Sequence, residues 1–236
     1  MSNFINATNL SGSEWALDCP SATSCTSSED SCCIPDMGKM VLAVQWVVNQ
    51  PIEEFTLHGL WPGDCETGMG PWEGCKVGAT STGSDVDDDV ELKADMEKYW
   101  VSDRNDNQGF WDHEWNKHGT CLSTVRQECS RGKEDGPPHI RYFKASLKEY
   151  KKYKVYDELT RNSVVPREEP YSLSEILNAL QKWESTFKLK CVNGRLNQIY
   201  FYSLGASANR FIQRSFVGTH NCPQKIYYPL KGSDEN

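Results

Sequence analysis

No run of 18 apolar residues occurs in the chain's 236, so no segment reads as crossing a membrane. The longest apolar stretch, "MVLAVQWVV" from Met40 to Val48, is interrupted by Gln45 and has the length of a buried strand. Basic charge is not in excess. Lys and Arg number 25 against 33 Asp and Glu, a net charge of −8, which argues against a general polyanion-binding surface. Pairs of the C-x-x-C type are lacking. Apart from the adjacent Cys32 and Cys33 the cysteines are scattered, which is not the spacing of a zinc site. There is no internal repeat and no convincing linker, so one domain over residues 19–236, preceded by a flexible arm over residues 1–18, is expected. A signal-peptide pattern is also missing, because a polar segment follows Met1 at once; the chain reads as a mature form with an added start residue.

Cysteine, by contrast, is abundant. Ten residues, at positions 19, 25, 32, 33, 65, 75, 121, 129, 191 and 222, are best read as five disulfides formed in an oxidising compartment. Two sequons, at Asn6 and Asn9, agree with secretion and glycosylation. The apolar fraction of 38% suffices for a sizeable core. Charge is unevenly spread: Ser84–Lys98 holds seven acids and two lysines, and Arg141–Lys154 holds six bases and one acid. Both stretches read as solvated helix faces.

The elements follow an α+β order. A strand is expected over Lys39–Val48, and a short second one over Glu54–Leu57 ends at His58. The glycine-rich residues 63–84 read as loop. Helices are predicted over Val90–Trp100, with Asp89 or Asp88 as N-cap, and over Trp111–Thr120. A third covers Pro138–Tyr153, where Ile140, Phe143, Leu147 and Tyr150 recur at helical spacing. A fourth, over Ser172–Phe187, opens with a capping box from Ser172 to Glu175. Strands then close the chain over Phe187–Val192, Arg195–Leu204, Arg210–Val217 and Lys225–Tyr228.

The chemistry concentrates in "FWDHEWNKHGTC", Phe110 to Cys121, which holds two of the five histidines. A zinc protease needs H-E-x-x-H, with both histidines on one helix face. Here one residue more separates them, and on a continuous helix His113 and His118 would lie about 140° apart, too far to share one ion. Glu114, Lys117 and His118 are related by i+3 and i+4 and share a face. An ammonium beside imidazoles repels a metal and attracts a phosphate. Trp111 and Trp115 would anchor the helix and fix its polar side. A second cluster, "FTLHGLWPGDC" from Phe55 to Cys65, offers His58. Two histidines on separate elements, with Lys and Glu, fit acid–base chemistry on a phosphodiester.

"FTLHGLWP" and "FWDHEWNKHGTC" resemble the two active-site segments of the ribonuclease T2 family. "CCIPDMGKMVLAVQW", "CVNGRLNQIYFY", "NCPQKIYYP" and the ten cysteines extend the resemblance to secreted fungal members over about residues 19–230. The resemblance implies a central antiparallel β-sheet flanked by helices. It also implies a secreted, or vacuolar or lysosomal, monomer with no metal or other cofactor, acting on single-stranded RNA and sparing DNA. His118 would be the general base, His58 the general acid, Lys117 and Glu114 would stabilise the phosphorane, and His113 would bind phosphate. Imidazole pKa values near 6.5 then favour activity at or below about pH 6. Trp61 would stack on the first base. Gly63 stands where fungal relatives carry an aspartate, with Asp64 a residue away, and Met69 stands where they carry a tyrosine. Gln45, Ser102, Asp103 and Phe110 would form the second base site, Val101 replacing a proline and Asp103 an asparagine. The implied disulfides are Cys19–Cys33, Cys25–Cys65, Cys32–Cys129, Cys75–Cys121 and Cys191–Cys222. Low base specificity is expected. An effector or cytotoxin whose effect is partly independent of cleavage is the alternative on the same scaffold.

Overall fold

A computed structural model describes residues 31–50, 52–75, 81–130, 136–207, 210–216 and 218–232. The arm over residues 1–18 and the sequons at Asn6 and Asn9 lie outside them. Strand β1, Lys39–Gln45, pairs antiparallel with β2, Thr56–Gly63, on one side and with β5, Arg195–Ser207, on the other. β4, Phe187–Val192, pairs with β5, and β6, Arg210–Gln213, also pairs with β5, to make a five-stranded antiparallel sheet in the order β2-β1-β5-β4. The β4–β5 hairpin turns on Asn193 and Gly194, both at positive φ, as a two-residue turn requires. A second, two-stranded sheet joins β3, Tyr171–Ser172, to β7, Lys225–Ile226.

Strand β2 runs through the segment that the sequence reads as strand end and turn. Pro62 lacks an N–H, but β2 is an edge strand, where that loss is tolerated. Its register slips beside Ala43: Ala43 faces Gly59 while Val44 faces Leu57, so His58 is the extra residue of a β-bulge. Carbonyls of this edge are met by buried aromatic donors. Trp100 Nε1 donates to the His58 carbonyl at 2.7 Å, Tyr142 Oη to that of Leu60 at 2.9 Å, and Tyr150 Oη to that of Phe55 at 2.8 Å.

α1 is Gly83–Asp88, overlapping only the last two residues of the stretch expected to be loop. α2 is Val90–Tyr99, with Asp89 as its N-cap, the side chain accepting from Leu92 N–H at 3.1 Å. α3, Asn107–Lys117, starts four residues before the expected Trp111 because Asp106 caps it, accepting from Gly109 N–H. It ends at Lys117, so His118 is its C-cap and not a helical residue; residues 119–121 form a 3-10 turn. α4, Pro138–Tyr150, lies against β1 and β2 with Tyr142, Phe143 and Tyr150 buried. The chain then starts α5, Val155–Arg161, instead of continuing to Tyr153. α6, Leu173–Ala179, has the expected Ser172–Glu175 capping box but stops early, the side chain of Asn162 meeting its Ala179 carbonyl.

Disulfides join Cys32–Cys129, Cys75–Cys121 and Cys191–Cys222. Cys33 and Cys65 are disulfide-bonded too; the expected partners Cys19 and Cys25 lie outside the described residues. Among the described residues no helix is long and apolar enough to cross a membrane.

Candidate active site

The bulge on β2 and the end of α3 bring the two sequence clusters together. His58 Nε2 lies 3.5 Å from Glu114 Oε1, an electrostatic contact longer than a good hydrogen bond. Trp61 Nε1 donates to the other oxygen, Oε2, at 2.8 Å. The Trp61 ring stacks on His118, with centroids 5.1 Å apart, and meets His58 edge-on at 5.1 Å. His113 is exposed beside His118, with ring centroids 6.4 Å apart. Lys117 sets its ammonium 4.3 Å above the ring of the exposed Trp72.

Glu114 is fully buried. Burial pushes its carboxyl up, but the close contact and charge of His58, the charge of His118 and the Trp61 N–H outweigh it and hold the group below the usual carboxylate range. Its Oε1 has no hydrogen-bond partner among the described residues, so it keeps acceptor capacity at the site. Burial pulls His118 down to about 4, the Glu114 carboxylate opposing and Lys117, His113 and His58 assisting. His118 is therefore a neutral imidazole, able to accept a proton, over most of the acidic range.

The histidine spacing does not have the consequence expected of it. Because α3 ends before His118, atoms of His113, Glu114 and His118 capable of ligating a metal all lie within 4.8 Å of one another. The 140° separation of a continuous helix is not realised, and these three groups could together hold an ion.

The base-site residues divide. Gln45, Asp103 and Phe110 line a cavity of about 360 Å3 together with His58, Asn197 and Gln198. Ser102 does not line it: it is buried, and its hydroxyl accepts from Arg104 N–H. Trp61 stands apart from this cavity, among the catalytic candidates. Asp64 turns back into its own loop, accepting from the backbone N–H groups of Glu66 and Thr67. Gly63 has no room for a side chain, since a Cβ there would lie 2.2 Å from the Gly68 carbonyl oxygen. Met69 is exposed on the same loop, which the Cys75–Cys121 disulfide fastens beyond the end of α3.

Two neighbours of His58 carry no signal in the sequence. Gln198 Nε2 lies 2.8 Å from His58 Nδ1, across 140 residues of chain, and Tyr200 Oη donates to Gln198 Oε1 at 2.6 Å. Only the sheet register, with Gln198 opposite Gln45, brings them there.

Residues 20–222 match the model of the Ribonuclease T2 family. Ribonuclease Rh of Rhizopus niveus is 34% identical over 230 residues, covering 94% of this chain and 96% of that protein. Ribonuclease T2 of Aspergillus oryzae is 32% identical over 193 residues, 78% of this chain and 70% of its own. Among solved structures, the T2 ribonuclease Actibind aligns with a TM-score of 0.82 at 28% identity, covering 90% of this chain and 97% of that one. RNase NT, solved in complex with 5′-AMP, aligns with a TM-score of 0.62 at 26% identity, covering 82% and 98%.

Proposed function

The chain belongs to the Ribonuclease T2 family and is an endoribonuclease, and we propose that it cleaves single-stranded RNA without a metal, by attack of the ribose 2′-OH on the adjacent phosphorus. His118 takes the 2′-OH proton. The P–O5′ bond breaks, His58 protonates the leaving oxygen, and a 2′,3′-cyclic phosphate remains. Water then opens the ring to a 3′-phosphate with the two roles reversed. Lys117 offsets charge on the phosphorane, His113 binds phosphate, and Glu114 Oε1 can accept from a protonated phosphorane oxygen or steady the cationic His58. The observation that carries this reading is the pairing of unlike imidazoles around Trp61: His118 is drawn down to about 4, while His58 sits beside a buried carboxylate.

Base recognition is proposed to be loose. The cavity of Gln45, Asp103 and Phe110 takes the base on one side of the scissile bond, with Ser102 shaping the loop behind it. Trp61 offers a ring to the other base. The disulfides of the described residues support an oxidising setting, outside the cell or in a vacuolar or lysosomal lumen, and a single copy of the chain holds every proposed site residue. No observation favours an effector role independent of cleavage.

The test is an RNA-cleavage assay in excess EDTA. Wild-type activity should persist, and His58→Ala and His118→Ala should each lower kcat/KM by about 100-fold to 10,000-fold. Products should carry 2′,3′-cyclic phosphate ends, and a 2′-deoxy oligonucleotide should stay intact. Activity abolished by EDTA would move the reaction to the His113, Glu114 and His118 group acting on a metal.

A further inference from the structure

We infer that Gln198, held by Tyr200, is a positioning residue for the general acid: it reserves Nδ1 of His58, so that the proton given to the leaving oxygen departs from Nε2. This rests on the assignment of His58 as the acid. Gln198 is 7% exposed on β5, the central strand of the sheet. Its neighbour Asn197 is the extra residue of a second bulge, since Lys190 faces Gln198 while Cys191 faces Leu196. Two bulges, one at His58 and one at Asn197, thus flank β1 and bring an imidazole and a carboxamide within 2.8 Å.

With the amide NH2 toward the ring, Nδ1 accepts, and a neutral His58 carries its proton on Nε2, the atom 3.5 Å from Glu114 Oε1. When the ring takes a second proton, Nδ1 becomes a donor and cannot face an NH2 group. A half-turn of the amide presents Oε1 to Nδ1–H and leaves Nε2 to donate to Tyr200 Oη, a hydroxyl able to donate or accept. The same two side chains therefore satisfy both charge states of His58. In the transfer the Nε2 proton passes to O5′ as the P–O5′ bond breaks with its electron pair. The ring is left neutral with its remaining proton on Nδ1, bonded to Gln198 Oε1. In hydrolysis water returns a proton to Nε2, which closes the cycle. The titratable groups facing His58 are Glu114 and His118 at the end of α3, Tyr200 on β5 and Asp103 across the cavity. Among the described residues, the hydrogen bond to Nδ1 comes from Gln198 and from none of these groups.

Two substrates separate acid catalysis from everything else: a dinucleotide, whose alkoxide leaving group needs a proton, and a nucleoside 3′-(4-nitrophenyl phosphate), whose phenolate leaves without one. Gln198→Leu should lower kcat/KM about tenfold or more on the dinucleotide and less than about twofold on the nitrophenyl ester. Tyr200→Phe, which removes one oxygen, should show the same selectivity with a smaller loss. Gln198→Glu should restore dinucleotide cleavage and move the alkaline limb of its pH profile upward, because a carboxylate on Nδ1–H stabilises the cation. Equal losses on both substrates, or no loss on either, overturn the inference. His58→Ala run in parallel distinguishes the two failures. If its loss is selective and that of Gln198→Leu is not, only the positioning role falls; if His58→Ala itself loses both substrates equally, the acid assignment falls with it.

Discussion

A Cβ at position 59 would lie 2.0 Å from Glu114 Oε2 and 2.6 Å from Trp61 Nε1, so the hydrogen bond between those groups exists only because residue 59 is glycine. Gly59→Ala must displace the carboxylate or the indole. We expect kcat/KM to fall by about 100-fold, the loss that a misplacement of about 1 Å can cause. Stability should drop by about 1–3 kcal/mol, the usual cost of overpacking. Activity and urea unfolding measured on one preparation decide it: a full-rate Gly59→Ala enzyme would show that the placement of Glu114 does not matter. His118 gives a second expectation at this scale. Burial lowers it from 6.5 to about 4, so kcat/KM should rise with pH through a midpoint near 4 as the base loses its proton. The sign for stability follows from the same shift. The unfolded chain takes up the His118 proton first as pH falls, so the stability present above pH 6.5 is lost progressively down to about pH 4. At most about 3 kcal/mol is involved. His118→Gln should be inactive yet lose less stability between pH 7 and pH 4.5 in urea titrations, and a loss equal to wild type would remove His118 from the balance. Five of these side chains, His58, His113, Glu114, Lys117 and His118, are legible in two short motifs. Gln198 and Tyr200 are not, because nothing local distinguishes them from other polar residues of a strand.

At the scale of elements, the bulged edge of β2 is held from outside by aromatic donors. Tyr142→Phe keeps the ring of a buried side chain and removes the hydrogen bond to the Leu60 carbonyl. A buried carbonyl left without a donor costs about 1–3 kcal/mol. Because Leu60 lies between His58 and Trp61 in the chain, activity should fall along with Tm. Calorimetry and cleavage assays on the same variant check this, and a Tm unchanged within about 1 °C would mean that the carbonyl finds another partner. This strand also marks the boundary of what sequence patterns reveal. Long amphipathic or capped elements, such as α2 behind Asp89 and α4 behind its prolines, stand out. β2 does not, since Gly59 and Pro62 carry turn chemistry that an edge strand with a bulge overrides. The end of α3 is hidden for the opposite reason. Its periodic pattern runs on to Thr120, but the backbone leaves the helix at His118, which removes the basis for placing the two histidines on opposite sides.

For the whole molecule, the question is how a chain of net charge −8 takes a polyanion as substrate. The two charged stretches keep exposed, solvated faces, yet they pair with each other in places. Lys144 pairs with Asp89 at 2.7 Å, Lys151 with Asp95 at 2.5 Å, and His139 with Asp85 at 2.8 Å, tying α4 and the residue after it to α1, α2 and the cap between them. Lys144 and Lys151 are thus engaged with acids at the cap of α2 and within it, and Lys152 with Glu149 of α4. The cations proposed to meet RNA are few, Lys117 with His113 and His58 when protonated. Single-stranded binding loses affinity with salt in proportion to the phosphates neutralised, with a slope of about −0.7 for each. Three such contacts predict a slope of log(kcat/KM) against log[salt] of about −2.1 at subsaturating RNA. Initial rates from 20 to about 500 mM NaCl at pH 5 would measure the slope. A slope steeper than about −3 would require more basic contacts along the RNA than Lys117 and the two histidines supply.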